Sequence, residues 1–280
     1  MSDPSSEMKI LTEAVNAHGI FFKRAVRNAL EQIPGVQILG EECPIRYLEG
    51  ASLDLLFAYQ TASHPWIFPV ECKKAYVAMK RWVFFEDPDP STRLIYFFRG
   101  NDLVYVCVDS IQSLSTLGCI EGIEIDMQKT KTPDSLYRSG SPDTIWKAAF
   151  QACKGGLGFL LNEKADRTKY ATGQFIEYAS IPLIITNAPL FVCDLKTQSV
   201  DISTGNHIGD MEIRSVPWLI LSHPFTPSQV QNAEYFEVIR SEYQPPQIRF
   251  SQAKVGIAVI NAKYIGDFLE QVVSPLQLAS

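Results

Sequence analysis

Histidine is scarce in this chain, and its cysteines are never paired. His18, His64, His207 and His223 lie far apart. Cys43, Cys72, Cys107, Cys119, Cys153 and Cys193 include no C-x-x-C spacing. A structural zinc site draws four such ligands from close spacings, so the pattern argues against one. It also lacks a Cys–His–Asp arrangement for thiol catalysis, and the histidines read as structural or surface groups. Free thiols in a reduced, cytoplasmic protein are the expectation. No apolar run approaches the roughly 18 residues that a membrane span needs, so no membrane partner is expected. The opening MSDPSSE does not read as a signal peptide. No G-x-x-x-x-G-K-[ST] is present, so ATP hydrolysis through a P-loop would have to come from an ATPase or sensor partner. There is no internal repeat and no low-complexity tract. Nor is there an excess of positive charge. The formal net charge is -6 at pH 7, which argues against non-specific coating of nucleic acid but not against a local contact patch.

What is present suits one large domain, or a domain with a small lobe. The chain has 280 residues, 46% hydrophobic and 20% charged. From Glu7 to about Gln32, Leu11, Val15, Phe22, Ala25, Val26 and Leu30 recur at helical spacing, with a break expected at Gly19. Three strand-like runs follow: Val36 to Leu39, with an extension toward Ile45; Ser52 to Tyr59; and Trp66 to Cys72. Pro69 predicts that the N-terminal half of the third run is irregular or lies at a sheet edge. Leu94 to Phe98 and Leu103 to Val108 read as a hairpin, and residues 126–143 as a loop. A helix is expected from Asp143, where Gly155 and Gly156 permit close packing on a sheet. KADRTKYATG reads as a basic loop after it. Apolar strands are expected at 181–186, 190–195, 216–221 and 255–261, with a helix at Ala262 to Val273 closing the chain. The order favours a mixed sheet in an α/β or α+β layout.

Two of these strands carry the chemistry. Asp54 lies inside the apolar SLDLLFAY, where an acid is costly to bury unless it is paired or binds a cation. Glu71 ends the third run and Lys73 follows two residues later. Side chains i and i+2 of a strand share a face, so Glu71 and Lys73 face together and Cys72 faces away. If the two strands pair as a hairpin, Asp54 reaches the same face. Two carboxylates suit Mg2+ or Mn2+, the backbone carbonyl of Cys72 can complete the shell, and the lysine can orient or deprotonate a water. A Glu-x-Lys triplet alone fits an exposed strand with an ion pair. The buried setting and the preceding acid set this one apart.

Asp54 followed by Glu71-Cys72-Lys73, behind one helix and ahead of another helix and strand, resembles the PD-(D/E)xK restriction-endonuclease-like superfamily. The resemblance spans about residues 8–74 and 143–187, although Leu53 stands where the motif's proline would be. It implies an αβββαβ core with a mixed central sheet over residues 1–190, an insertion at about 75–140, and a β-rich extension over 191–280. It also implies a divalent-metal-dependent endonuclease that hydrolyses DNA, with catalytic Asp54, Glu71 and Lys73 and with Mg2+ or Mn2+ on Asp54 and Glu71. Some members act on RNA. A role in prokaryotic genome defence or restriction, and a homodimer or hetero-complex, go with this reading. Many members carry a further acid on the first helix. Lys23 stands at the best-aligned position, so Glu13 or Glu31, or Glu42 from the first strand, would have to serve, or no residue does. The alternative is an inactive nuclease-fold module that binds nucleic acid or serves as an assembly subunit.

Lys74, Lys164, Arg167 and Lys169 are candidate backbone-phosphate contacts, against the plain reading of a solvated basic surface. Lys80, Arg81, Arg93 and Arg99 read the same way. Gln151 is a candidate polar residue of the second core helix, against the reading of an exposed helix glutamine. Trp82 to Phe85 could stack on bases, but reads better as core.

Overall fold

A computed structural model of the chain describes residues 4–17, 19–44, 52–62, 65–76, 79–86, 93–99, 102–107, 118–127, 140–141, 143–169, 178–194, 200–224 and 254–273. It opens with helices α1 (Pro4–Ala17) and α2 (Ile20–Glu31), broken at Gly19 as the sequence predicts. Strands β1 (Val36–Pro44), β2 (Ser52–Gln60) and β3 (Pro65–Lys73) follow as an antiparallel meander. Next come β4 (Lys80–Glu86), the hairpin β5 (Arg93–Arg99) and β6 (Asp102–Cys107), β7 (Gly118–Asp126) and the short β8 (Gly140–Ser141). Helix α3 (Asp143–Lys169) leads to β9 (Tyr178–Ser180), β10 (Leu183–Thr186), β11 (Leu190–Cys193), β12 (Ile213–Val216), β13 (Trp218–Pro224) and β14 (Lys254–Asn261). The described chain ends in a 3-10 turn (Ala262–Tyr264), one turn of helix α4 (Ile265–Phe268) and a π turn (Leu269–Val273).

The protein is mixed α/β. Among the described residues the strands form one fourteen-stranded mixed sheet. At its centre β10 runs parallel to β3 on one side and to β14 on the other. Strands of the middle segment and of the C-terminal third join this same sheet. β14 pairs with β13, β13 with β7, β7 with β4, and β4 with β11. Both faces of β10 are buried, which is why its four residues are apolar apart from Thr186. Ile184 faces a core built with Ile145, Ala148, Ala149 and Ala152 of α3. Leu183 and Ile185 face a second core closed by Val26 and Leu30 of α2 and by Phe268, Leu269 and Val272. Trp82 and Phe84 are buried in the α3-side core, so this part of the aromatic run is packing. Met8, Leu11 and Val15 of α1 are exposed. Among the described residues no helix is long and apolar enough to cross a membrane.

Several elements differ from expectation for local reasons. Strand β3 is continuous and interior. Pro69 falls between Ile67, the last residue paired to β9, and Val70, the first paired to β10, so its missing N–H breaks no ladder on that edge. The expected strand at 181–186 begins only at Leu183, as β10, because Ile181–Pro182 separates it from β9, and Pro217 likewise separates β12 from β13. The KADRTKYATG segment is helical through Lys169. Its lysines, alanine and arginine favour helix, and no glycine or proline interrupts before Gly173. The C-terminal helix is three short turns rather than one continuous element. Most of the expected loop at 126–143 lies outside the described residues.

The long helix fixes the site. Gly156 lets α3 approach the sheet: a Cβ there would lie 2.8 Å from Pro182 Cγ and 3.7 Å from Pro69 Cγ. Further along, Phe159 packs with Tyr178 and Ile67. So α3 runs back along β3, with its early turns over the Lys73 end.

Candidate active site

The β2–β3 ladder ends at Leu55 opposite Val70. One step further, the register sets Asp54 opposite Glu71, a spacing that brings side chains to about 5 Å. The ladder is replaced there by a side chain: Asp54 Oδ2 accepts the Cys72 N–H at 2.8 Å. In extended backbone the N–H and C=O of one residue point to the same edge. The Cys72 carbonyl therefore points toward Asp54, where pairing with β2 has stopped. The Cys72 side chain packs into the opposite core, as its alternation requires.

Glu71 is only 6% exposed. Its carboxyl is pushed above the usual range by burial first and by the Asp54 charge second, while Lys73 and Lys23 pull it back. Lys73 Nζ lies 2.6 Å from Glu71 Oε1 and donates to Gln151 Oε1 at 2.8 Å. Gln151 thus belongs to the site and is not a solvated helix residue alone. The Cys72 thiol is driven far upward by burial and by the charges of Asp54 and Glu71, so it is not a nucleophile.

Lys23 enters from α2. It sits three residues before Val26, which anchors the helix in the core. Its side chain is 13% exposed, its Nζ lies 3.7 Å from Asp54 Oδ1, and it forms an ion pair with Glu42. Glu42 lies near the end of β1, which is irregular between Ile38 and Gly40, and it holds a left-handed backbone with φ 47°. That conformation is uncommon for a residue with a Cβ and directs its side chain off the regular alternation. The neighbouring Arg27 bonds Glu41 at 2.8 Å and Glu31 at 2.9 Å, tying β1 to α2. Glu31 is thereby engaged away from Asp54, and Glu13 is exposed on α1. Of the three acids that could supplement the pair, Glu42 alone shares a partner with Asp54.

The segment just past Lys73 is held by a side-chain amide. Asn187 Oδ1 accepts the Ala75 N–H at 2.6 Å, and its Nδ2 donates to the Ala75 carbonyl at 3.0 Å. The amide continues the β10–β3 ladder beyond Thr186. Asn261 at the end of β14 donates from Nδ2 to the Ala188 carbonyl at 2.8 Å, and Thr186 Oγ1 accepts the Ala188 N–H. Sequence reasoning missed Asn187 and Asn261. The signal available was an Asn directly after each of two buried apolar runs, IPLIIT and VGIAVI.

The remaining basic candidates stand apart. Lys74 is exposed on the residue after Lys73. Lys164 and Lys169 lie on the last turns of α3, about 20 and 27 Å along its axis from Gln151 at 1.5 Å per residue. Arg167 lies between them, so all three are remote from Glu71. Lys80 is paired to Glu124 at 3.2 Å and Asp126 at 3.4 Å.

The donors at the centre are oxygens: two carboxylates and a backbone carbonyl. Among the described residues no group of three or more His, Cys, Asp and Glu side chains is placed to hold a metal ion. Two carboxylates with water and phosphate completing the shell is how Mg2+ is ordinarily held, and a cation between Asp54 and Glu71 would offset both the burial and the Asp54 repulsion that raise Glu71. The donor set therefore fits a hard divalent ion. No family model, curated protein or solved structure matches this chain.

Proposed function

We propose that the chain is a divalent-metal-dependent endonuclease of the PD-(D/E)xK type, hydrolysing phosphodiester bonds of DNA. One observation carries the reading. At the open end of the β2–β3 ladder, Asp54 is fixed by the Cys72 N–H beside the buried Glu71 and its half-buried partner Lys73. The succession of helix, three antiparallel strands, helix and a strand parallel to the third supports it.

Asp54 and Glu71 would hold Mg2+ or Mn2+, with the Cys72 carbonyl beside them. When bound, such an ion stabilises charge on the phosphoryl oxygens and makes a bound water more acidic. The chain's own residues do the rest. The Cys72 N–H holds the Asp54 carboxylate in one orientation. Gln151 keeps the Lys73 ammonium at the site's edge, where it orients the attacking water or meets charge developing at phosphate. Partial burial strengthens the Cys72–Asp54 hydrogen bond relative to water. Cutting a duplex with one site per chain requires two chains, so a homodimer or hetero-complex goes with this reading. A role in genome defence would suit such an enzyme.

A second reading has one observation in its favour. The Lys23 ammonium stands beside Asp54, which suits an inactive module that binds nucleic acid or serves in an assembly. Incubation with supercoiled plasmid, single-stranded DNA and RNA under Mg2+ or Mn2+ separates the two. Nuclease function requires metal-dependent cleavage that is lost in both Glu71→Ala and Lys73→Ala. Cleavage indifferent to both changes would refute the assignment.

A further inference from the structure

We infer that Lys23 is a built-in cation occupying the place of a second metal ion, so that the site takes one divalent ion per chain. The inference rests on the metal-dependent reading above. Its grounds are the position of Lys23 and the charge of its surroundings.

Lys23 is not a surface lysine that strays near an acid. Its side chain is largely buried, its helix is anchored by Val26 and Leu30, and its ammonium serves Asp54 and Glu42 together. Among the described residues, Glu42 is the further carboxylate that shares a partner with Asp54, and Lys23 already neutralises it. Asp54, Glu71 and Glu42 with Lys23 and Lys73 leave one net negative charge. A single divalent ion reverses that to one net positive charge, ready for a phosphodiester. A second ion would add two more positive charges in a half-buried setting, where like charges repel strongly.

The chemistry agrees with this count. In a two-ion site the ions flank the reacting phosphate and stabilise the attacking and leaving oxygens. An ammonium at a fixed position offers part of that stabilisation without being recruited from solution. Lysine suits the role because it is a compact point charge on a flexible stem. On this view Lys73 and Lys23 stand on the two sides of the Asp54–Glu71 pair.

Counting Mn2+ on the full chain tests this. Electron paramagnetic resonance reads free Mn2+ directly, with circular dichroism checking the fold of each variant. One Mn2+ per wild-type chain is expected, lost in Asp54→Asn. Lys23→Glu should bind two, and Lys23→Met should bind its single ion about tenfold more tightly. Two ions on wild type with constants within about tenfold of each other would overturn the inference while leaving the metal site intact. So would Lys23→Glu, folded, still binding one ion, or Lys23→Met with unchanged affinity. No Mn2+ bound by wild type would overturn the inference together with the metal-dependent reading. Because the wild-type count alone is decisive, failure of a variant to fold does not rescue the idea.

Discussion

His223 is built into the sheet as a neutral group, and acid should expose the cost. Its side chain is 2% exposed near the end of β13, and its Nε2 has no hydrogen-bond partner. Its ring lies 4.7 Å from that of Trp146, on the α3 face of the sheet beside Ile145 and Leu221. Burial lowers its pKa from 6.5 to about 4. The folded state therefore binds fewer protons than the unfolded chain between those values, and stability must fall as pH drops through that window. At ~1.36 kcal/mol per pKa unit, the loss is about 2 kcal/mol by pH 5 and about 3 kcal/mol by pH 4. Other groups titrate there too, so the measurement is a difference. Wild type and His223→Leu are unfolded in urea at pH 8, 6, 5 and 4, followed by fluorescence, and their stabilities subtracted. Leu221 and Ile145 offer leucine an apolar setting, and removing an unpartnered buried nitrogen relieves a penalty of about 1–3 kcal/mol. The variant should match or exceed wild type at pH 8, and its advantage should widen by about 2 kcal/mol at pH 5. Parallel stability-against-pH curves would show that His223 titrates normally and that the argument from burial is wrong.

Three further outcomes are expected. Glu71→Gln should lower metal-dependent cleavage at least about a hundredfold, as loss of a metal ligand or proton-handling group does. Because the raised Glu71 carboxyl makes its charged form costly above its ordinary titration range, the same change should stabilise the metal-free protein at pH 7 in thermal melts. Gly122→Ala should cost about 1–3 kcal/mol in urea unfolding, since its Cβ would lie 2.6 Å from Phe84 Cδ1 and 3.1 Å from Ile145 Cδ1. Asn187→Ala should cost about 1–2 kcal/mol and speed hydrogen exchange at the Ala75 amide, whose partner it removes.

The chemical centre was legible because a strand alternates. An acid inside SLDLLFAY, and a Glu and a Lys two apart at the end of WIFPVECK, must share a face once β2 and β3 pair. The pairing itself was legible from the short turn between two apolar runs. Lys23 was legible only as the residue standing where the resemblance calls for an acid; its ion pairs were not, because Glu42, Asp54 and Lys23 meet only when β1, β2 and α2 are assembled. Asn187 was hidden for a similar reason. A side-chain amide that continues a backbone ladder looks, in sequence, like any Asn after a strand. Polar composition misled at Lys164 to Lys169, where helix-forming residues without glycine or proline simply prolong α3. The wider sheet was beyond reach because parallel partners such as β4 and β11 are about a hundred residues apart, and nothing local specifies their register.

The position of β14 bears on when the molecule becomes itself. β10 lies between β3, made early, and β14, the last of the described strands, so the centre of the sheet joins segments far apart in sequence. A ribosome delivers residues 183–186 long before 254–261, and in that interval one edge of β10 has no strand to meet. Non-local pairing of this kind is slow, because loop closure must precede any contact that rewards it. Asn261, which braces the turn behind Asn187, arrives only with β14. Completion of the site is thus tied to the arrival of β14, and a nascent chain that stops short of it has the motif without the scaffold that aims it.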